Sequence, residues 1–430
     1  MREMKDSGID YIGKMPFDWT VVRLKNIVSV SDGTHDTPQY VNEDNNTYPL
    51  VTSKHINSSK IEIENAFHIS EADYKEIIKR SKVSLYDVVM PMIGTIGNPA
   101  LVETEVPFAI KNLALLKCKG SYYLGKYIVY LLDSNIAKTQ FELVVQSGVQ
   151  KFISQEKLKN IYFPFAKDYI AIIDFLDHKC SEIDALNADI QKQIETLEEY
   201  KRSVITEAVT KGLDPDVKMK DSGVEWAGNM PDHWEIIRGK YILKCLNKPI
   251  REDDGVITCF RDGEVTLRSN RREDGFTMAD KEIGYQGVDV GDLVVHGMDG
   301  FAGAIGISDS RGKASPVLNV LGTSQNKQYI MYYLRSMAYN DVFTAIATGI
   351  RVRSCDLRWN KLAELLYPVP PIDEQIIIVD YINKQLDRAN EVIAFKKQQL
   401  EILEEYKKSL IFEYVTGKKE VNDYDKEANE

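Results

Sequence analysis

Two blocks of this chain are nearly the same. Residues 4–23 read MKDSGIDYIGKMPFDWTVVR and residues 219–238 read MKDSGVEWAGNMPDHWEIIR, identical at ten of twenty positions with a constant offset of 215. Toward the end of each half a second pair recurs at an offset of 206: LEEYKRS at 197–203 against LEEYKKS at 403–409, preceded by IIDFLDH at 172–178 against IVDYINK at 378–384. The following Glu207, Val209 and Thr210 match Glu413, Val415 and Thr416. The second half is therefore nine residues shorter between its shared blocks. A chain duplicated in this way repeats one structural plan, with fixed ends and a variable middle.

The middles share landmarks rather than sequence. Tyr86-Asp87-Val88-Val89 followed by Gly94-Thr95-Ile96-Gly97 parallels Gly291-Asp292-Leu293-Val294 followed by Gly300-Phe301-Ala302-Gly303, and Ser147-Gly148-Val149 parallels Thr348-Gly349-Ile350. Short apolar and β-branched runs between turn residues predict strands at Tyr48–Thr52, Val88–Met92, Ala100–Val102, Leu113–Leu116, Leu293–Val295 and Ile305–Ile307. Helical patches are predicted at Leu124–Leu132 and Lys327–Met337. Each centre is thus a mixed α+β domain.

The tails read differently. From Asp168 to Thr210 there is no Pro or Gly, and Leu176, Ile183, Ile190, Leu197 and Val204 recur every seven residues. In the second copy Ile382, Ala389, Leu403 and Leu410 keep that seam, with Lys396 as a break, and Leu386, Ile393 and Leu400 add a parallel one. Sustained heptads predict coiled-coil helices, ended by Gly212 with Pro215 beyond and by Gly417. A helix cannot bury an apolar stripe alone, so the two are expected to pack antiparallel. The expected fold class is α+β: two mixed domains separated by two long antiparallel coiled-coil helices, with pseudo-two-fold symmetry. The expected segments are a domain at 1–165, a helix at 166–212, a second domain at 213–370, a second helix at 371–417 and a polar tail at 418–430.

Several function classes lose support. No apolar run reaches the roughly 18 residues of a membrane span, and MREMKDSGIDYIGKM lacks the apolar core of a signal peptide, so a cytoplasmic location is expected. The five cysteines, Cys118, Cys180, Cys245, Cys259 and Cys355, are scattered with no Cys-x-x-Cys pair. That spacing argues against a disulfide framework and a zinc site. The Gly-Lys pairs at 13–14, 125–126, 239–240, 312–313 and 417–418 lack a following Ser or Thr, so no P-loop exists. GFAGAIG at 300–306 has the wrong spacing for a dinucleotide loop. Asn98-Pro99 is followed by Ala100 and Asp214-Pro215 by Asp216, so no Asn-Pro-Pro-aromatic motif is present. No catalytic or metal-ligating constellation is identified.

The two openers, the SGVQK and TGIRVR segments, and the paired helices ending LEEYKRS and LEEYKKS together resemble the specificity subunits of type I restriction–modification systems. The resemblance covers almost the whole chain, both halves in order. It implies that each domain reads one part of a split site in double-stranded DNA. It also implies that the helices fix the gap and dock two methyltransferase subunits, and that restriction subunits complete an ATP-dependent nuclease. S-adenosylmethionine, ATP and Mg would belong to those partners, with no cofactor bound by this chain. On this reading Leu176, Ile183, Ile190, Leu197, Ile382, Leu386, Ile393 and Leu403 mark the subunit-docking helices. The alternative is a coiled-coil adaptor carrying two protein-binding domains.

The net charge of −11 requires any DNA-binding surface to be local or supplemented by partners. Reading bases takes Arg, Lys, Asn or Gln at base edges, with basic and hydroxyl groups on phosphates. The first-domain candidates are Thr52, Ser53, Lys54, His55 and Lys60, the basic knot Lys79, Arg80 and Lys82, and Gln150-Lys151. In the second domain they are Arg261, Arg268, Arg271 and Arg272, then Arg351, Arg353 and Arg358. Gln150-Lys151 and Arg351 to Arg353 occupy matching frame positions. Isolated surface lysines are ordinarily only solvated, whereas clustered arginine on an acidic background is unusual. Trp19 and Trp234 are expected to pack rather than to stack on bases, and Met15-Pro16 and Met230-Pro231 to shape turns.

Overall fold

A computed structural model describes residues 3–57, 59–144, 151–271, 283–345 and 357–421. Its contacts divide the chain into two units, Met1–Asp189 with Gln398–Glu430, and Ile190–Lys397. Both boundaries fall inside long helices, Tyr169–Lys211 and Ile372–Val415. Each variable centre thus belongs to one unit, while each heptad helix serves both.

In the first unit the opener forms a hairpin, Met4–Asp6 against Lys14–Pro16, with Met4 opposite Pro16. Thr20–Arg23 then pairs with Tyr162–Phe165, joining the two ends of the centre. Between them lies an antiparallel sheet in the order Ala100–Leu101, Val88–Pro91, Leu113–Lys117, Ser29–Asp32. Val88, Val89 and Met90 are fully buried, which is why this run is apolar without alternation. A second sheet runs Ala109–Ile110, Thr47–Val51, Phe67–Ser70, Tyr40–Val41 and is backed by the helix Glu71–Ser81.

The second unit repeats this plan. Its opener hairpin, Met219–Asp221 against Asn229–Pro231, pairs Met219 with Pro231. Glu235–Arg238 pairs with Leu366–Val369. Its main sheet runs Ile305–Ile307, Leu293–His296, Leu318–Thr323, Leu243–Cys245, the same order as in the first unit. The predicted strands and the two predicted helical patches are present, the patches extending to Tyr122–Asp133 and Lys327–Tyr339. The helix Glu71–Ser81 was not foreseen, because its charged residues outnumber its apolar ones.

Within each unit the helix segments run antiparallel. In the first, Phe175 packs on Tyr414 with ring centroids 4.4 Å apart, and Asp184 Oδ1 lies 2.5 Å from Lys407 Nζ. In the second, Tyr200 Oη donates to Gln385 Oε1 at 3.5 Å, and the seam break Lys396 reaches Gln193. Leu176, Ile183, Ile190, Ile382 and Ile393 are buried, while Leu197, Leu386 and Leu403 are half-buried.

The openers and the helix ends meet. Trp19 and Trp234 are fully buried. Gly417, at φ +74°, lies under Pro16 and Trp19, and Gly212, at φ +72°, lies under Pro231 and Trp234. Trp234 Nε1 donates to Glu374 Oε1 at 3.0 Å, tying the second opener to the start of the second long helix.

A β-carbon on Gly417 would sit 2.5 Å from the Pro16 ring, whereas Gly8, at φ +75°, has open space around it. Gly8→Ala should therefore cost only the left-handed penalty of about 1 kcal/mol. Gly417→Ala adds overpacking and should cost about 3 kcal/mol. Urea midpoints of the two variants check this, and equal losses would contradict the packing role of Gly417.

Candidate functional site

In both units the same end of the main sheet gathers polar groups. In the first unit Gly94 N donates to Lys151 O at 2.9 Å, and Ile93 forms a β-bridge with Phe152. The glycine loop that follows Val88–Pro91 is thereby held against the chain that leaves the second landmark. In the second unit Leu357 N donates to Gly297 O at 2.8 Å, so the loop after Leu293–His296 takes the same neighbour. In both units the loop after the central strand thus lies against a described segment far from it in sequence, Lys151–Phe152 in the first and Leu357 in the second. Gln150, Arg272, Arg351 and Arg353 lie outside the described residues.

The Thr52-Ser53-Lys54-His55 cluster is a capped turn. Thr52 Oγ1 accepts from Lys54 N at 3.4 Å, and His55 Nδ1 accepts from Thr52 N at 3.0 Å. Burial of His55 pushes its imidazole pKa down, which favours the neutral acceptor form that the turn uses. His55 thus holds the turn, and Ser53 and Lys54 are the exposed members. This turn joins the sheet end through Lys111 N, which donates to Val51 O at 2.9 Å. Lys60 is exposed on a short hairpin.

The basic knot on the helix Glu71–Ser81 separates. Lys79 pairs with Glu76 one turn earlier, and Arg80 pairs with Asp32 at the end of the main sheet. Lys82 lies at the opposite end, where Lys117 Nζ donates to its carbonyl at 3.0 Å. The structure therefore joins Arg80, and not Lys82, to the polar sheet end.

The second unit holds its arginines more tightly. Arg261 Nη2 lies 2.8 Å from Asp299 Oδ1. Arg271 stacks over Phe260 at 4.2 Å from the ring centroid and reaches Asp262 at 2.6 Å and Glu264 at 2.9 Å. Arg268 Nε donates to Thr258 Oγ1 at 3.3 Å. Arg358 is exposed immediately after Leu357. His296 Nδ1 accepts from Asp299 N at 3.0 Å, and its burial pushes the imidazole pKa down, consistent with that acceptor role. Arg261, Arg358 and the Gly297–Gly303 loop therefore share one surface. The sequence reading missed His35, Lys111, Asn112 and His296; the dense run Gly33-Thr34-His35-Asp36-Thr37 was the available signal for the first of these.

Of the eight heptad residues named for the docking helices, Leu176, Ile183, Ile190, Ile382 and Ile393 are buried within the units, and Leu197, Leu386 and Leu403 are half-buried. The outward faces carry Leu186 and Tyr200 on the first helix and Ile377, Tyr381, Val392, Phe395, Ile402 and Tyr406 on the second. A heptad identifies the buried stripe of a helix, and these exposed residues lie outside it.

Among the described residues there is no group of His, Cys, Asp and Glu arranged to hold a metal ion, and no helix long and apolar enough to cross a membrane. One dense charge cluster in the second unit is structural. Arg311 pairs with Asp254 at 2.7 Å and Asp289 at 2.6 Å, and Lys248 bridges Asp289 and Asp292 at 2.7 and 2.6 Å. Hydrogen bonds from Lys248 and then Arg311 hold the Asp289 carboxyl at about 2, below the ordinary carboxylate value. The pairs stabilise the fold fully above the unfolded carboxylate pKa near 4, and that stabilisation fades as pH falls toward 2. Arg311→Met should therefore cost about 1–3 kcal/mol at pH 7, because the Asp254 side chain is almost fully buried. The loss should shrink at pH 3, read as the difference in urea midpoint from the unsubstituted protein; a loss that did not change with pH would remove the ion pairs as its source.

No family model matches the chain. It is 26% identical over 436 residues to the protein named "Putative type I restriction enzyme MjaX specificity subunit" of Methanocaldococcus jannaschii, covering 95% of each. Its fold matches a chain from "Structural basis underlying complex assembly and conformational transition of the type I R-M system" with a TM-score of 0.65 at 13% identity, over 93% of this chain and 98% of that one. The HsdS subunit of Thermoanaerobacter tengcongensis matches with a TM-score of 0.50 at 12% identity, over 94% and 98%.

Proposed function

We propose that this chain, a type I restriction–modification specificity subunit by sequence and fold, reads a bipartite asymmetric DNA site with its two sheet ends. The observation that carries the reading is the repeated juxtaposition of a glycine loop with exposed basic residues, Lys151 in one unit and Arg261 with Arg358 in the other. The frame repeats while these side chains differ, so the two half-sites should differ. The chain carries no catalysis of its own in this reading. Two methyltransferase subunits dock on the helices and supply S-adenosylmethionine-dependent adenine methylation, and restriction subunits add ATP- and Mg-dependent cleavage. The assembly works on cytoplasmic DNA.

Co-expression with type I methyltransferase subunits, followed by mapping of N6-methyladenine by single-molecule sequencing, should yield one split, asymmetric motif. The purified chain alone should neither methylate nor cut DNA. Methylation that followed no motif would favour the adaptor reading.

Spacing tests the helices. Inserting seven residues after Leu186 and after Val392 lengthens each helix by about 10 Å. The preferred gap should grow by about 3 base pairs at 3.4 Å each, with both half-sites unchanged. Altered half-sites with an unchanged gap would refute the spacer role. Lys151→Ala and Arg358→Ala should weaken binding to all duplexes alike and lower the salt slope by about one if these residues hold phosphates.

A further inference from the structure

At the sheet end of the first unit, one side chain is positioned more closely than its neighbours. Asn112 stands between Ala109–Ile110 and Leu113–Lys117 at φ +56°, with its N–H donating to Thr34 O at 3.0 Å and its carbonyl accepting from Met92 N at 3.4 Å. The approach is close: a β-carbon on Gly33 would fall 2.3 Å from Ile110 O. The backbone of Asn112 is therefore fixed from both sides.

Its carboxamide is fixed as well. Asn112 Oδ1 lies 2.9 Å from His35 Nδ1. His35 Nε2 lies 3.0 Å from Asp32 Oδ2, and the other Asp32 oxygen holds Arg80. Burial alone would raise the Asp32 carboxyl; the hydrogen bonds from Arg80 and His35 outweigh it and hold it below its ordinary value, as a carboxylate. The relay Arg80–Asp32–His35–Asn112 leaves one group over. Asn112 Nδ2 has no partner among the described residues, and the side chain is half-exposed.

A left-handed backbone favours Asn or Gly, although Tyr86 and Lys119 adopt it in this chain too, and that preference explains no carboxamide relay. A preset donor beside the Gly94–Gly97 loop and the Thr52–His55 turn has the properties of a base reader. Its position does not adapt, and an unmatched donor loses a hydrogen bond that water had supplied. We propose that Asn112 is a specificity-determining residue of the first half-site, donating from Nδ2 to an acceptor on a base edge, with His35 as its positioning residue. The inference rests on the DNA-reading function proposed above.

The test uses the complex with its methyltransferase subunits and a duplex carrying the motif found by methylation mapping, together with every single-base-pair substitution of that duplex. Asn112→Gly keeps the left-handed backbone and removes the amide; Asn112→Asp keeps the oxygen facing His35 and removes the donor. Both should weaken binding to the motif by about ten- to a hundredfold. Each should bind a duplex substituted at one position of one half-site as the unsubstituted protein does, so that discrimination vanishes there and nowhere else. His35→Ala should give the same single-position loss in smaller degree. Loss spread evenly over all duplexes, the mark of a phosphate contact, would overturn the proposal, as would Asn112→Gly binding with full discrimination. A bipartite motif from the unsubstituted complex keeps the functional reading standing in either case; absence of a motif would remove both.

Discussion

Each unit depends on a glycine in the left-handed conformation lying under a buried tryptophan. Gly417 and Gly212 end the long helices, and Trp19 and Trp234 belong to the openers. A side chain at the glycine would push into the proline ring or the indole, so the helix must stop there. The opener must then bend over the stop, which Met-Pro followed by Trp accomplishes. In the first unit this contact joins the start of the chain to the end of its second long helix, about 400 residues away. The duplicated blocks are therefore the two sides of one contact, which is why they repeat while the residues between them diverge.

A second set of contacts ties each variable centre to its helices. Tyr127 Oη donates to Pro164 O at 3.3 Å, and Tyr329 Oη donates to Pro368 O at 2.9 Å. Three residues on, Tyr130 Oη reaches Asp177 at 2.9 Å and Tyr332 Oη reaches Asn383 at 2.5 Å. Asp177 and Asn383 are equivalent in the repeated IIDFLDH and IVDYINK blocks. Each tyrosine buries a ring and places its hydroxyl on a fixed acceptor, so it contributes both apolar area and orientation. A sheet anchored in this way can change its loops without changing the angle at which they are presented.

The frame was legible in the sequence because identity and heptad spacing are local signals. The central strands were legible because Val88–Pro91 and Leu293–Val295 are apolar throughout and flanked by turn residues. The polar sheet ends were not. His35 and Asn112 meet across 77 residues, and Arg261 meets Asp299 across 38, through pairings that no periodicity encodes. His55 looked like a surface ligand because its hydrogen bond to the turn is invisible without coordinates. The heptads told which stripe of each helix is buried, and left open what buries it; within each unit the answer is the other helix.

The acidic balance of the chain has a place in this scheme. Arg80, Arg261 and Arg271 each hold a carboxylate, so part of their charge is neutralised locally when no other ligand is present. The Arg261 and Arg271 pairs are exposed and contribute only about 0–1 kcal/mol, little enough for a phosphate or a base edge to displace the carboxylate. On the proposed reading the same carboxylates keep the guanidinium groups oriented and repel a duplex that approaches out of register. On the proposed reading, a chain of net charge −11 gives up non-specific affinity and keeps discrimination. Affinity then has to come from several correct contacts made together, and two sheet ends on one chain supply them more readily than one.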